Sequence, residues 1–309
     1  MKVAVCISGA FRGNYESSLE SIYNNLVEPL KADVFIETWD NYYEWPGVCG
    51  GNFINRLFGN NLSKTAPKCI SDERSFKENL PNTYVKLSTA IVKPFQSESV
   101  FKKFKVCSLN VNSESFFNDN ILSKMDTSGM FVPNQYRMFF LLYKANQAMH
   151  IQEKAMNINY DLIIRIRPDV HFINNINVSD LYKVNKNSVL TKMIIHGIDD
   201  ALFIAKPETM DTILSLWEQT TFTRKLSPFK NYKFRAHPLL QFWLIKNEIS
   251  VQTFEYNISI QKVIENYIPD ISCEIKQDLD ILKNNKHQFY NQISIWLDSV
   301  LKQFDRKYI

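Results

Sequence analysis

Glycine is scarce in this chain, with 8 in 309 residues. Neither a G-x-x-x-x-G-K-[ST] run nor a G-x-G-x-x-G run occurs. A nucleotide, if bound, is therefore held by something other than a phosphate-cradling glycine loop. Cysteine is also sparse. Cys6, Cys49, Cys69, Cys107 and Cys273 are odd in number and lack C-x-x-C spacing, which argues against a disulfide framework and a zinc site and for reduced thiols. No sign of charge dominates: 36 basic against 32 acidic residues leave +4, too mild for a nucleic-acid surface. Long apolar runs are missing too. None approaches the ~20 residues of a membrane-spanning helix, and Val3 to Ile7 stops at Ser8-Gly9, short of a secretory core. The expectation is a cytoplasmic protein whose membrane contact, if any, is peripheral to the inner membrane.

What is present is globular: 45% hydrophobic and 22% charged residues can build a sizeable core. The length suits one α/β domain carrying an insertion and an appendage. Lys2 to Ile7 reads as a buried strand, Ser8 to Gly13 as a turn, Tyr15 to Leu30 as a helix and Asp33 to Thr38 as a second strand. That βαβ order implies a parallel sheet with a right-handed crossover. From Asn41 to about Met130 periodicity is poor, with one strand pair expected around Tyr84 to Phe95. Asn134 to Asn157 has helical spacing at Met138, Leu141, Leu142, Ala145, Ala148 and Met149. Asp199-Asp200 precede a further strand from Ala201 to Ala205, and helices follow at Pro207 to Trp217 and Pro238 to Lys246. Phe289, Ile293, Trp296, Val300 and Phe304 form a late helical stripe. A stripe of this kind packs on a core more often than it lies on a membrane.

The most informative segment runs from Tyr160 to Val170. Leu162, Ile164 and Ile166 alternate with Ile163, Arg165 and Arg167, and Pro168 ends the ladder. Asp169 then sits at a carboxyl-terminal strand end, where open α/β sheets bind ligands. Arg165 and Arg167 offer planar donors suited to a diphosphate, and Asp169 offers hard oxygen for Mg²⁺ or Mn²⁺. The plainer alternative is that Arg-x-Arg-Pro-Asp pairs with itself. Ser8, Gly9 and Arg12 stand after the first strand, at the position for a nucleotide; the alternative is an ordinary loop. Lys144 is placed to reach phosphate or to lie on a solvated helix face. Asp199 or Asp200 is a candidate general base, or a turn former. His237 is a candidate to complete a metal site or pair with phosphate, or a structural histidine. The basic and aromatic stretch Arg224 to Arg235 suits an anionic acceptor or acidic lipid. A strand-end Asp169 also implies that Asp169→Ala spares stability.

Three stretches carry a resemblance. They are Lys2 to Gly13 with Ala32 to Asp40, Gln135 to Asn146 running into Tyr160 to Asp169, and Ile198 to Ala205. In these the chain resembles the bacterial glycosyltransferases that build lipopolysaccharide O-antigens and capsules, including the WavE-type lipopolysaccharide synthesis proteins. The resemblance implies a GT-A-like fold: a Rossmann-type, mostly parallel sheet flanked by helices. It implies a nucleotide-sugar donor, with a hexosyl group transferred, and a glycan or lipid-linked acceptor. On that basis residues 1–255 form the catalytic domain, with 41–130 a variable insertion shaping the acceptor region, and 256–309 a C-terminal helical extension. Asp169 matches the place of the metal-binding D-x-D carboxylates, but Arg167 stands where the first aspartate would be. A Mn²⁺ or Mg²⁺ ion at Asp169 and a cation-free site served by Arg165 and Arg167 are both compatible with that pattern. In the third stretch Ala201-Leu202 replaces the polar residue often found there, and Pro238 replaces a glutamate. Two rivals stand beside this reading: a strictly metal-dependent nucleotidyltransferase on a similar sheet, and a glycan- or nucleotide-binding module without catalysis.

Overall fold

The structure is a computed structural model. It describes every residue except 103, 126–132, 175, 177, 182, 195–196, 223–235, 254–257, 261–267 and 306–309. The first apolar run forms strand β1, Val3–Ser8, with all six residues buried. Six more strands complete its sheet: β2 (Asp33–Trp39), β3 (Val106–Asn112), β4 (Leu162–Ile166), β5 (Ser188–Thr191), β6 (Leu202–Ala205) and β7 (Ser250–Thr253). Their order across the sheet is β7-β5-β6-β4-β1-β2-β3. Neighbours run parallel, except that β6 is antiparallel to both β4 and β5. This is a mixed, mostly parallel α/β sheet flanked by helices.

Both faces of β1 are apolar because both are covered. Ala4 and Cys6 face one core, packed with Tyr136, Leu142, Ala145 and Met149 of helix α2 (Pro133–Met156) and with Leu240 of helix α4 (Ala236–Lys246). Val3, Val5 and Ile7 face the other, packed with Leu19 and Ile22 of helix α1 (Tyr15–Ile22). The α1 helix continues through a π-helical turn at Tyr23–Val27 and ends where Lys31 adopts left-handed φ. These elements, with Pro94–Gln261 as a whole, belong to the first of two units: Met1–Phe11, Tyr15–Tyr42 and Pro94–Gln261.

The second unit comprises Arg12–Asn14, Tyr43–Lys93 and Lys262–Ile309. Its core joins Trp45, Phe53, Phe58, Phe76 and Leu87 to Ile275, Ile293, Trp296 and Val300. The compact units therefore follow lines other than an insertion at 41–130 and an extension at 256–309. From the late apolar stripe, Ile293, Trp296 and Val300 of helix Tyr290–Asp305 pack into this core, with Phe289 against it. The expected strand pair around Tyr84 to Phe95 is instead a helix, Pro81–Ser88, followed by a short strand, Ile91–Pro94, whose partner is Asn41–Trp45. Among the described residues no helix is long and apolar enough to cross a membrane.

Helix α2 is pinned to helix α3 (Pro207–Leu214) by a polar cluster. His150 Nδ1 lies 2.7 Å from Glu153 and Nε2 lies 2.7 Å from Asp211, which also accepts from Asn146 at 2.8 Å. Both ring nitrogens face carboxylate oxygens, so only the imidazolium satisfies both. Burial works against its charge, but the two carboxylates outweigh it and raise the His150 pKa. The cluster therefore adds stability that is full below about pH 6.5, the ordinary histidine value, and fades as pH rises through the raised folded value. The stability difference between the native protein and His150→Gln should be larger at acidic than at alkaline pH. Denaturant unfolding at both pH values measures it, and a pH-independent difference would remove the linkage.

Candidate active site at the carboxyl end of the sheet

The sheet order reverses beside β1. Strands β2 and β3 lie to one side of it and β4 to the other. In open α/β sheets the carboxyl ends at such a switch point are where ligands bind. Here the two segments at that point are Ser8-Gly9, leaving β1, and Arg167-Pro168-Asp169, leaving β4. They are in close contact. Gly9 has φ +141°, and an added Cβ would come within 3.0 Å of Pro168 Cδ. Only glycine holds this backbone without strain, so one of the few glycines stands where the two loops touch.

The reversed strand supplies the third segment. Because β6 is antiparallel to β4, Leu202 pairs with Ile166, and Asp199-Asp200-Ala201 arrive at the same sheet end. The Arg167 amide donates to the Ala201 carbonyl at 3.0 Å. Arg167 Nε and Nη2 donate to the two oxygens of Asp169 at 2.8 and 2.6 Å, and Nη1 donates to Asp200 Oδ1 at 3.1 Å. The arginine side chain keeps 20% of its exposure, against 3% for Asp169 and 9% for Asp200. Burial disfavours the Arg167 charge, yet the two carboxylates more than offset it and hold the guanidinium more firmly protonated than an ordinary arginine. For Asp200 burial pulls upward, and Arg167 with Arg165 outweighs it, leaving the carboxyl below the usual range.

Arg165 is placed differently from the expectation of a diphosphate ligand. Its side chain is fully buried. Nε and Nη2 donate to the Ser8 hydroxyl and carbonyl at 3.3 and 3.5 Å, Nη1 donates to the Asp200 carbonyl, and the guanidinium lies 5.5 Å from the Phe203 ring centre. Burial pulls its pKa down to about 10 against the attraction of Asp200. Arg165 thus ties together the ends of β1, β4 and β6. Asp169 is also more deeply set than its strand-end position implied. Losing it would leave Arg167 half-paired in a dry site, so Asp169→Ala does not spare stability.

The remaining residues divide. Asp199 Oδ1 accepts the Ala201 amide at 3.0 Å in a local turn, and its side chain is partly exposed. His237 Nδ1 lies 2.7 Å from the Ile198 carbonyl, so the neutral ring carries its proton on Nδ1 and Nε2 is the basic nitrogen. Its position is fixed by Gly197, where an added Cβ would stand 2.5 Å from the His237 carbonyl oxygen. His237 is close enough to Asp200 to favour its charge. Lys144 sits beside Glu37, whose charge it supports. Arg12 belongs to the second unit, where it bridges Tyr43. The stretch Arg224 to Arg235 lies outside the described residues, as do Arg306 and Lys307.

Glu37 was not anticipated. It lies within β2 paired with Ser8, is 1% exposed, and accepts from Asn112 Nδ2 at 2.8 Å and from Asn110 Nδ2. Burial pushes its carboxyl up, against Asn110, Asn112 and Lys144. The signal was a glutamate directly after the apolar run Val34 to Ile36 of an expected strand.

A divalent cation does not fit the carboxylates as they stand. Both oxygens of Asp169 already hold Arg167, and among the described residues no group of three His, Cys, Asp or Glu side chains is arranged for a metal.

No protein-family model and no curated protein matches the sequence. Among the solved structures that align with this chain are two transferases. One is the apo-form glycosyltransferase GlyE of Streptococcus pneumoniae TIGR4, at 11% identity and TM-score 0.36, over 95% of this chain and 51% of that one. This chain thus spans about half its length. The other is mouse xyloside xylosyltransferase 1, apo form, at 9% identity and TM-score 0.38, over 82% of this chain and 84% of that one.

Proposed function

We propose that the chain is a nucleotide-sugar-dependent glycosyltransferase of bacterial surface polysaccharide assembly, moving a hexosyl group to a glycan or lipid-linked acceptor. The carrying observation is the charged cluster Arg167–Asp169–Asp200, built where three strand ends meet at the sheet's switch point. Glycosyl transfer releases a nucleoside diphosphate, and its developing charge needs a fixed cation already in place. Arg167 is such a cation, held rigid by two carboxylates. Ser8 and Gly9 line the nucleotide, and Arg165 keeps their strand in register with Asp200. Arg12 and Lys144 are further donor-side candidates.

For the base that deprotonates the acceptor hydroxyl, Asp199 suits better than Asp200. Asp200 is committed to Arg167 and its lowered pKa makes it a weak base. Among the described residues Asp199 Oδ2 has no hydrogen-bond partner. His237 Nε2 is the second candidate. The region 41–130 shapes the acceptor side, and the enzyme works in the cytoplasm against the inner membrane.

The test is a thermal-shift screen against UDP, GDP, CDP, CMP and their sugars, with and without Mn²⁺. A ligand that binds only the folded state raises the melting temperature. One nucleotide series should stand out and fix the donor class. A folded sample that shifts with none of them would overturn the reading.

A further inference from the structure

Resting on that reading, we infer that the donor diphosphate docks directly on Arg167 and that no divalent cation takes part in holding it. Of the three charged side chains in the cluster Arg167 is the most open, keeping 20% of its exposure against 3% for Asp169 and 9% for Asp200. A cation reaching Asp169 would have to displace both Arg167 donors from both carboxylate oxygens. It would also have to enter beside a positive group, at an unfavourable Coulomb energy.

Arg167 still has donors to give. A guanidinium carries five N–H groups, and three are engaged by Asp169 and Asp200. Among the described residues, one N–H on each of Nη1 and Nη2 is left over. Paired terminal N–H groups match two oxygens of a phosphate. The carboxylates fix the plane of the fork, so little side-chain entropy is lost when phosphate arrives. Asp169 and Asp200 are in this account positioning residues for Arg167 and not ligands of a metal.

Titration calorimetry of the native protein tests this, using the nucleoside diphosphate that gives the largest thermal shift, in EDTA and in Mn²⁺. The expected affinities agree within about twofold. Affinity that falls tenfold or more in EDTA, on the order of 1.4 kcal/mol, overturns the inference and leaves the glycosyltransferase reading standing. Absence of binding in both buffers overturns both. Arg167→Lys supplies a second measurement, since lysine keeps the charge but loses the fork. It should weaken the diphosphate more than the matching monophosphate, still without a Mn²⁺ response. Equal loss for both ligands, or rescue by Mn²⁺, counts against the assignment.

Discussion

Arg167→Met lowers the stability of the protein by about 3–5 kcal/mol at neutral pH, the usual cost of removing one partner from a buried ion pair. Methionine keeps most of the aliphatic stem, so packing changes little and the loss is electrostatic. Asp169 forfeits two hydrogen bonds and Asp200 one, and both stay in a site with little solvent. The pH dependence identifies the cause. Burial is the largest influence on Asp200 and Arg167 the largest opposing one. Without Arg167, burial is opposed by Arg165 and His237, so the Asp200 carboxyl rises from its lowered native value and takes a proton earlier as pH falls. In the native protein Asp200 contributes stability above the unfolded carboxyl pKa and loses it as pH falls through its lowered folded value. The gap between native and variant therefore narrows from neutral toward acidic pH, in urea unfolding at each pH. A gap below about 1 kcal/mol would mean that the cluster behaves as a surface pair and would remove the rigid cation on which the transfer mechanism depends. Activity should fall with the charge, and the folded fraction at the assay temperature separates that loss from unfolding.

Four of the seven strands, β1, β2, β4 and β6, were legible because their patterns are local, whereas β3, β5 and β7 were not among the expected strands. The short apolar run from Val3 to Ile7 and the alternation around Arg165 need no distant partner to be read as strands. What the sequence withheld was pairing. Asp199-Asp200 could be placed before a strand, but only the reversed direction of β6 brings them against Arg167, and strand direction leaves no mark in four residues. Arg165 and Arg167 looked alike because period two puts them on one face. Burial separates them: one is a strut between strand ends and the other remains partly open. Glu37 was missed because its partners Asn110 and Asn112 lie on the edge strand β3, within a region of poor periodicity. The second unit was half readable for a related reason. The late stripe showed an apolar face, but its core joins that stripe to Tyr43–Lys93, a pairing no local pattern announces.

That long-range dependence has a sharp consequence at Asp278. Helix Pro81–Ser88 begins at Leu80, which offers no side-chain cap, so the donors of its first turn need an acceptor from elsewhere. Asp278, fully buried on helix Ser272–Asn284, supplies it. Its Oδ1 accepts from the Asn82 amide at 3.1 Å and from the Asn82 side chain at 2.8 Å. Its Oδ2 accepts from the Thr83 amide at 2.9 Å and from the Thr83 hydroxyl at 2.7 Å. Four donors converge on one carboxylate at the positive end of a helix, an arrangement worth more than an ordinary cap. Asp278→Ala leaves a buried and a part-buried backbone N–H group unanswered and should cost about 3–5 kcal/mol. Asp278→Asn separates charge and geometry from volume. Its amide can accept on one side only and turns N–H toward donors on the other, so it too should lose about 2 kcal/mol or more. Hydrogen exchange locates the effect: amides of 82–88 and 275–284 lose protection first, while those of β1 and β4 retain theirs. If Asp278→Asn unfolds at the native denaturant concentration, or if exchange rises first in the central sheet, then the second unit is not held together by this carboxylate and its core alone sustains it.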